Sequence, residues 1–229
     1  MVLALTWQKL VTALAFAVML IVGIFAIIDG SISAEDIWAR RNQIVTILMI
    51  LLGLLGIPQV FGVVHKLTFA KFWMFPLLDG EWTAQLCSNW PRIRKTYESA
   101  KAGGPPFDAM IDPLSEADEA ERHVEADVTI RSSLFLVSMT LRPKNSNRVS
   151  RTRFIRPLWR SPDLPELSYV FEQEDLDPVA RTDEPEHFGA GVIKYHTDRD
   201  EIAGKYWNDR REDAGLNTAG TIRMTRVPR

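Results

Sequence analysis

The segment Glu121–Ser132, ERHVEADVTIRS, decides the fold of the larger part of this 229-residue chain. From Val124 to Arg131, apolar and polar residues alternate without exception. A strict period of two is typical of a β-strand that buries one face and exposes the other. We therefore predict a β-strand here, with Val128 and Ile130 on its buried face.

Seven other segments have strand-like patterns: Gly80–Cys87, Leu134–Arg142, Arg148–Trp159, Leu167–Gln173, Gly189–Thr197, Ile202–Asn208 and Thr218–Val227. Turn-forming residues separate most of them, as at 143–147, 161–163, 198–200 and 213–215. Eight short strands with little helix predict an all-β domain. Closure into an eight-stranded antiparallel, lipocalin-like β-barrel is favoured because a closed barrel has no exposed edge. We expect this barrel to occupy residues 77–229.

One stretch, residues 99–122, interrupts the strand pattern. Ser115 is followed three residues later by Asp118, which resembles the capping box of a helix N-terminus. The pattern predicts a short acidic helix across one mouth of the barrel. A disordered insertion is the alternative interpretation.

The N-terminal third of the chain differs sharply in composition. Residues 1–64 contain three basic and three acidic side chains, whereas about 30% of the 165 residues after them are charged. Leu10–Ile28 and Ile44–Val64 are nearly uninterrupted apolar runs of 19 and 21 residues. As helices they would be about 30 Å long, the thickness of a bilayer's hydrocarbon core. We expect residues 1–76 to form a transmembrane helical hairpin, with helices at about 10–28 and 44–64.

Two alternatives exist for the first apolar run. It could be a signal peptide cleaved near Ser31-Ile32-Ser33, although the run is long and its leading charge is weak. It could also be the core helix of a soluble protein. The transmembrane interpretation fits its length and composition best.

The charges beside the apolar runs predict their orientation. Lys9, Lys66 and Lys71 lie at the outer ends of the hairpin, and Arg40 and Arg41 lie in its loop. Because basic residues concentrate on the cytoplasmic side, this small excess predicts a multi-pass protein with both termini in the cytoplasm.

Composition and motifs exclude several function classes. A net charge of −2 argues against binding to DNA or RNA polymers, and a single cysteine excludes a disulfide framework. HExxH, GxSxG, Walker and GxGxxG motifs do not occur. We therefore expect no enzyme activity, no catalytic residue, no metal and no cofactor. The weak alternative is a metal or acid–base site in which His187 and His196 approach Asp198.

The order of the two parts resembles a known family. Phe75–Trp82, FPLLDGEW, opens the barrel with Gly-x-Trp directly after the second apolar run, and Ile202–Trp207 and Asn217–Met224 close it. Over nearly its whole length the chain resembles the bacterial two-transmembrane, β-strand-rich effectors of cyclic-oligonucleotide antiphage defence (CBASS). The resemblance rests on domain order and these short motifs.

This resemblance implies a specific function. In that family a synthase makes a cyclic nucleotide on infection, and the barrel binds it on the cytoplasmic side. The helices then form homo-oligomers that disrupt the inner membrane and cause growth arrest or cell death. Related defence systems can use the reverse switch, in which the nucleotide holds the effector silent. The regulatory ligand implied here is a cyclic dinucleotide.

Gly-x-Trp barrels also suggest how this barrel is closed. In them the tryptophan plugs one end, and an arginine of the last strand stacks on it. Trp82, two residues after Gly80, matches that tryptophan. We assign Arg226 rather than Arg223 as its partner, because Arg226 shares the strand face of Met224.

A cyclic dinucleotide site needs cations for two phosphates and flat side chains for two bases. The richest segment is Arg148–Arg160, in which Arg151 and Arg153 share one strand face and Arg156 lies on the other. The predicted ligand-binding residues are Arg151, Arg153, Arg156, Tyr169, Lys194, His196 and Tyr206. The alternative is that these arginines form an ordinary salt-bridged surface and that the aromatic residues belong to the core.

Two other functions fit the same architecture. A membrane-tethered, lipocalin-like carrier of lipids or other small ligands predicts an apolar cavity without phosphate-facing arginines. A protein scaffold that binds no ligand predicts a solid, tightly packed barrel.

Overall fold

The computed structural model describes residues 7–30, 33–68, 75–158, 165–177 and 183–228. Several residues named in the sequence analysis lie outside the described residues: Ser31, Ile32, Lys71, Trp159, Arg160 and the turn at 161–163. The chain divides into two compact units. One contains the N-terminal helices together with residues 132–136, and the other contains the rest of the chain from Leu78 onward.

The N-terminal unit contains four helices: α1 (Trp7–Asp29), α2 (Ala34–Ala39), α3 (Arg41–Leu55) and α4 (Pro58–Leu67). In α1, the 19 residues Val11–Asp29 have a mean hydropathy of 2.9. Large apolar side chains on this helix are exposed, including Phe16 at 65% and Ile27 at 84%. A helix about 29 Å long with such a surface is long and apolar enough to span a membrane.

The second predicted span, Ile44–Val64, is not one helix. α3 ends at Leu55 and α4 begins at Pro58, and the two helices are bent by 101°. Pro58 has no N–H to donate to the preceding turn, and Ile57 before it is extended, with φ −83° and ψ 121°. α3 alone reaches about 22 Å, short of the ~30 Å hydrocarbon core. The predicted two-helix transmembrane hairpin is therefore not confirmed, because a second span would have to be this broken pair.

The larger unit is a closed barrel of eight antiparallel strands in chain order, as predicted. The strands are β1 (Gly80–Ser88), β2 (His123–Ser132), β3 (Val137–Pro143), β4 (Arg148–Leu158), β5 (Glu166–Asp175), β6 (Glu186–His196), β7 (Glu201–Asn208) and β8 (Ala219–Arg226). β1 pairs with both β2 and β8, which closes the barrel. The alternation in β2 is confirmed, since Ala126, Val128 and Ile130 are buried while Glu125 and Asp127 are exposed.

Two helices lie between β1 and β2: α5 (Trp90–Ala102) and α6 (Glu116–Glu121). The short acidic helix α6 was predicted, and Ser115 Oγ accepts a hydrogen bond from the backbone N–H of Asp118 at 3.2 Å. Helix α5 was not predicted. Its Arg94 and Lys95 pair with Asp118 at 2.7 and 3.3 Å. The side-chain hydrogen bond with Ser115, together with these two cations, lowers the pKa of Asp118 to about 2.

A β-bulge in β4 changes which side chains face the barrel interior. Thr152 pairs with Phe171, but Phe154 pairs with Val170, so Arg153 is the extra residue. Before the bulge the even positions Ser150 and Thr152 face inward. After it the odd positions Ile155 and Pro157 are buried. A short 3-10 helix, Glu212–Ala214, follows β7.

Candidate ligand-binding cavity

The barrel contains a cavity of about 380 Å³. It lies where β1, β3, β5 and β7 end, since Ser88, Pro143, Gln173 and Asn208 all line it. Trp82, near the start of β1, lies towards the opposite end. The apolar part of the lining comes from Leu86, Val124, Met139, Leu141 and Ile222.

Three aromatic side chains form one wall of this cavity: Tyr169, Phe171 and Tyr206. The Tyr169 and Phe171 ring centroids are 5.9 Å apart. Burial raises the pKa of Tyr169 and of Tyr206, so both phenols stay neutral. They present flat faces with a hydroxyl that can donate or accept a hydrogen bond.

Glycines on the neighbouring strands make room for these rings. Gly191 pairs with Tyr169 across β5 and β6, and a Cβ at Gly191 would lie 2.5 Å from the Tyr169 ring. Gly189 pairs with Phe171 in the same way, and a Cβ there would overlap that ring. Each ring therefore lies against bare backbone on the barrel wall, and the interior stays open.

Two arginines lie at the polar end of the cavity. Arg148 donates to Asp175 at 2.8 Å and to Asp183 at 2.5 Å. Arg210 Nη1 is 3.6 Å from Asp183, and the Arg210 guanidinium carbon lies 3.9 Å from the centroid of the Trp90 ring. Burial lowers the pKa of Arg210, although a guanidinium still keeps its charge in proteins.

Of the seven predicted ligand-binding residues, Tyr169 and Tyr206 line the cavity. Arg151, Arg153 and Arg156 are exposed on the outer wall of β4 and do not line the cavity. Arg151 pairs with Glu174 at 2.6 Å and Arg153 with Glu172. Arg156 was expected on the opposite face from the other two, but the bulge at Arg153 places it on the outside as well.

Lys194 and His196 also lie away from the cavity. In β6, Gly191, Ile193 and Tyr195 face inward, so Lys194 is exposed. His196 Nδ1 contacts Arg199 Nη2 at 3.1 Å. The strand alternation that turns Tyr195 towards Trp82 therefore turns both predicted residues outward.

Gly80, Trp82 and Arg226 lie together at the other end of the barrel. Trp82 is 1% exposed, and its Nε1–H donates to the Leu78 carbonyl at 3.0 Å. The Arg226 guanidinium lies 4.2 Å from the Trp82 ring centroid and donates to the Asp79 carbonyl at 2.8 Å. Gly80 has φ 142°, and a Cβ there would lie 3.0 Å from Arg226 Nη1. Arg223 faces outward and pairs with Glu201.

Sequence reasoning missed the two cavity arginines for different reasons. Arg148 lies on the same inward face of β4 as Ser150 and Thr152, so the alternation of that strand could have predicted it. Arg210 is the second residue after the end of β7, in the charged sequence Asp209-Arg210-Arg211, where no strand period applies. Trp90 was missed together with helix α5.

The alternative metal or acid–base site does not form. His187 and His196 lie near opposite ends of β6, about 30 Å apart at the rise of a strand. Among the described residues, no group of three or more His, Cys, Asp or Glu side chains could hold a metal ion.

The cavity thus combines flat rings, apolar walls, the buried Arg210 and the half-buried Arg148, which suits a small amphipathic molecule with an anionic group. Comparison with models of protein families and with curated proteins finds no match to this chain.

Proposed function

We propose that this chain is a membrane-anchored sensor whose barrel binds a cyclic oligonucleotide and thereby controls the assembly of its N-terminal helices. The observation that carries the proposal is the 380 Å³ cavity, whose lining includes four aromatic side chains and two arginines. Sites for small molecules usually measure about 300–1,000 Å³ and combine apolar walls with a few convergent polar groups.

The chemistry of the cavity matches the parts of a nucleotide. Tyr169, Phe171 and Tyr206 can stack on bases. Arg148 and Arg210 can hold phosphate oxygens, in place of the surface arginines predicted from the sequence. We propose binding and not catalysis, with no resident metal or cofactor.

We propose that ligand binding to the barrel acts on the membrane through the N-terminal helices. We propose that α1 and the broken pair α3–α4 anchor the protein in the bacterial inner membrane, with both termini in the cytoplasm. The exposed apolar surface of α1 and the lysines outside the apolar runs support this arrangement. Homo-oligomers of these helices would disrupt the membrane and cause growth arrest or cell death, as in the antiphage effectors that the chain resembles.

A membrane-tethered carrier of lipids or other small ligands is the second candidate. The apolar lining from Leu86, Val124 and Ile222 favours it. The two arginines in the lining, Arg148 and Arg210, favour the nucleotide sensor. A scaffold without a ligand is disfavoured, because it requires a filled interior.

Thermal unfolding of the full chain in detergent micelles tests the proposal against a panel of cyclic di- and trinucleotides and fatty acids. A ligand at one hundred times its dissociation constant adds about 2.7 kcal/mol to the free energy of unfolding. We expect one nucleotide to raise the Tm, and Tyr206→Leu to abolish the effect while Arg151→Gln on the outer wall preserves it. A Tm that rises with fatty acids and with no nucleotide would favour the carrier instead.

A further inference from the structure

The polar end of the cavity contains a buried cation whose hydrogen-bonding capacity is only partly used. Arg210 is 6% exposed, and its ring contact with Trp90 covers one face of the guanidinium. Nη1 faces Asp183, but Nε and Nη2 have no hydrogen-bond partner among the residues that the structure describes. Such groups are rare in folded proteins because burying an unpaired donor is costly.

His187 provides another unmatched donor in the same lining. Asn208 Oδ1 accepts from the backbone N–H of Thr218 at 2.8 Å and from its hydroxyl at 3.0 Å. The amide nitrogen of Asn208 therefore faces His187 Nε2, at 3.4 Å, and donates to it. Since Nε2 accepts, the hydrogen of the neutral ring is on Nδ1.

This Nδ1–H also lacks an acceptor within the described part of the chain, and His187 is 4% exposed. Burial lowers the pKa of His187, which keeps the ring in this neutral form. Arg210 and His187, which both line the cavity, thus hold three buried donor groups without an acceptor among the described residues: Nε–H, Nη2–H and Nδ1–H.

Local charge narrows the class of group that can satisfy these donors. Arg148 and Arg210 are balanced by Asp175 and Asp183, so the cluster is already close to neutral. A dianion would bury excess negative charge beside Asp183. A group with a single negative charge and two free oxygens supplies the missing acceptors with less excess charge.

We infer that Arg210 and His187 form an oxyanion subsite that binds a monoanionic group with two free oxygens, a phosphodiester or a carboxylate, of the cavity's ligand. Trp90 and Asp183 are positioning residues, since they hold the guanidinium from its face and from Nη1. The inference deepens the proposed function by naming the group that the cavity recognises, and it rests on that function only for the use of the same cavity.

Titration of the full chain in detergent micelles with dimethyl phosphate, acetate and methyl phosphate at constant ionic strength tests the subsite. We expect a saturable rise in Tm with dimethyl phosphate or acetate, and the stronger of the two identifies the source of the oxyanion. The dianion methyl phosphate should bind more weakly. Equal or stronger binding of methyl phosphate would contradict the inference about charge.

Four variants test whether dimethyl phosphate or acetate binds to the donors of Arg210 and His187. Arg210→Gln should raise the dissociation constant of dimethyl phosphate or acetate at least about tenfold, because a charged hydrogen bond is lost. His187→Leu should raise this dissociation constant several-fold. His187→Asn should restore the affinity, because its amide N–H replaces Nδ1–H. Arg156→Gln removes an exposed arginine from the outer wall and should change nothing. Equal affinities in all four variants would overturn the subsite.

The two proposals fail in different ways. If a cyclic nucleotide raises the Tm equally in the wild type and in Arg210→Gln, the subsite is wrong and the sensor stands. If dimethyl phosphate or acetate binds through Arg210 while no cyclic nucleotide does, the subsite stands and the nucleotide function is wrong.

Discussion

At the scale of single residues, Arg226 joins the first and last strands at the closed end of the barrel. It stacks on Trp82, donates to the Asp79 carbonyl and pairs with Asp200 at 2.9 Å. We predict that Arg226→Met lowers the free energy of unfolding by about 1–3 kcal/mol, through loss of the stacking and of charged hydrogen bonds. Thermal or denaturant unfolding measures this change.

Arg223→Met is the matched control, because Arg223 is three residues away on the outer face and makes an exposed ion pair with Glu201. Such pairs contribute roughly 0–1 kcal/mol. Similar losses in both variants would show that Arg226 acts only as a surface charge.

His187 should make stability depend on pH. Burial holds its pKa below the ordinary value of 6.5, and Arg210 and Arg148 add to that shift. Asp183 and Asp209 oppose it. The unfolded chain then binds more protons than the folded one just below pH 6.5, so this stability is complete above that pH and is lost as the pH falls.

We predict that the Tm of the wild type falls more between pH 7 and pH 5.5 than the Tm of His187→Asn. Protonation of His187 would place a hydrogen on Nε2, against the amide nitrogen of Asn208. Parallel pH profiles of the two proteins would show that His187 titrates normally in the fold.

At the scale of elements, the two-residue alternation of apolar and polar side chains predicted the strands. It did not predict which side chains face inward after the bulge in β4. The alternation in β2 is sufficient to locate it, because the period of a strand is a local property. The bulge at Arg153 depends on pairing with β5, and therefore the sequence did not predict that Arg156 lies on the same outer face as Arg151. The inward position of Tyr169 and Tyr206 was predictable because their strands alternate regularly, whereas Arg210 lies beyond the end of β7.

The break between α3 and α4 has a simpler cause, a proline between two apolar segments. We predict that Pro58→Ala joins Arg41–Leu67 into one helix, because the missing N–H is restored and Ile57 can become helical. Spin labels at positions 45 and 63 would then move apart towards about 27 Å, the length of eighteen helical residues.

Pulsed electron paramagnetic resonance on the full chain measures this distance. Gly62→Ala, inside α4, should leave it unchanged, since a Cβ there meets nothing closer than Leu77 at 3.8 Å. An unchanged distance in Pro58→Ala would mean that the bend is set by the packing of the unit and not by the proline.

At the scale of the whole molecule, the proposed sensor needs a ligand that distinguishes two states of assembly. A ligand shifts such an equilibrium only by its differential affinity for the two states. We predict that the active nucleotide changes dye release from liposomes containing the full chain, and that Tyr206→Leu removes this response. Ligand binding in micelles without any change in dye release would separate the barrel's function from the membrane.

The pairing of Phe171 with Gly189 and of Tyr169 with Gly191 makes this cavity sensitive to substitution of either glycine. Its volume depends as much on the side chains missing at Gly189 and Gly191 as on those present. A single methyl group at position 191 would displace the Tyr169 ring into the space meant for a ligand. The cavity would then be occupied by the barrel's own tyrosine, and one substitution on a neighbouring strand would close it to a ligand while every side chain that lines it stays chemically the same.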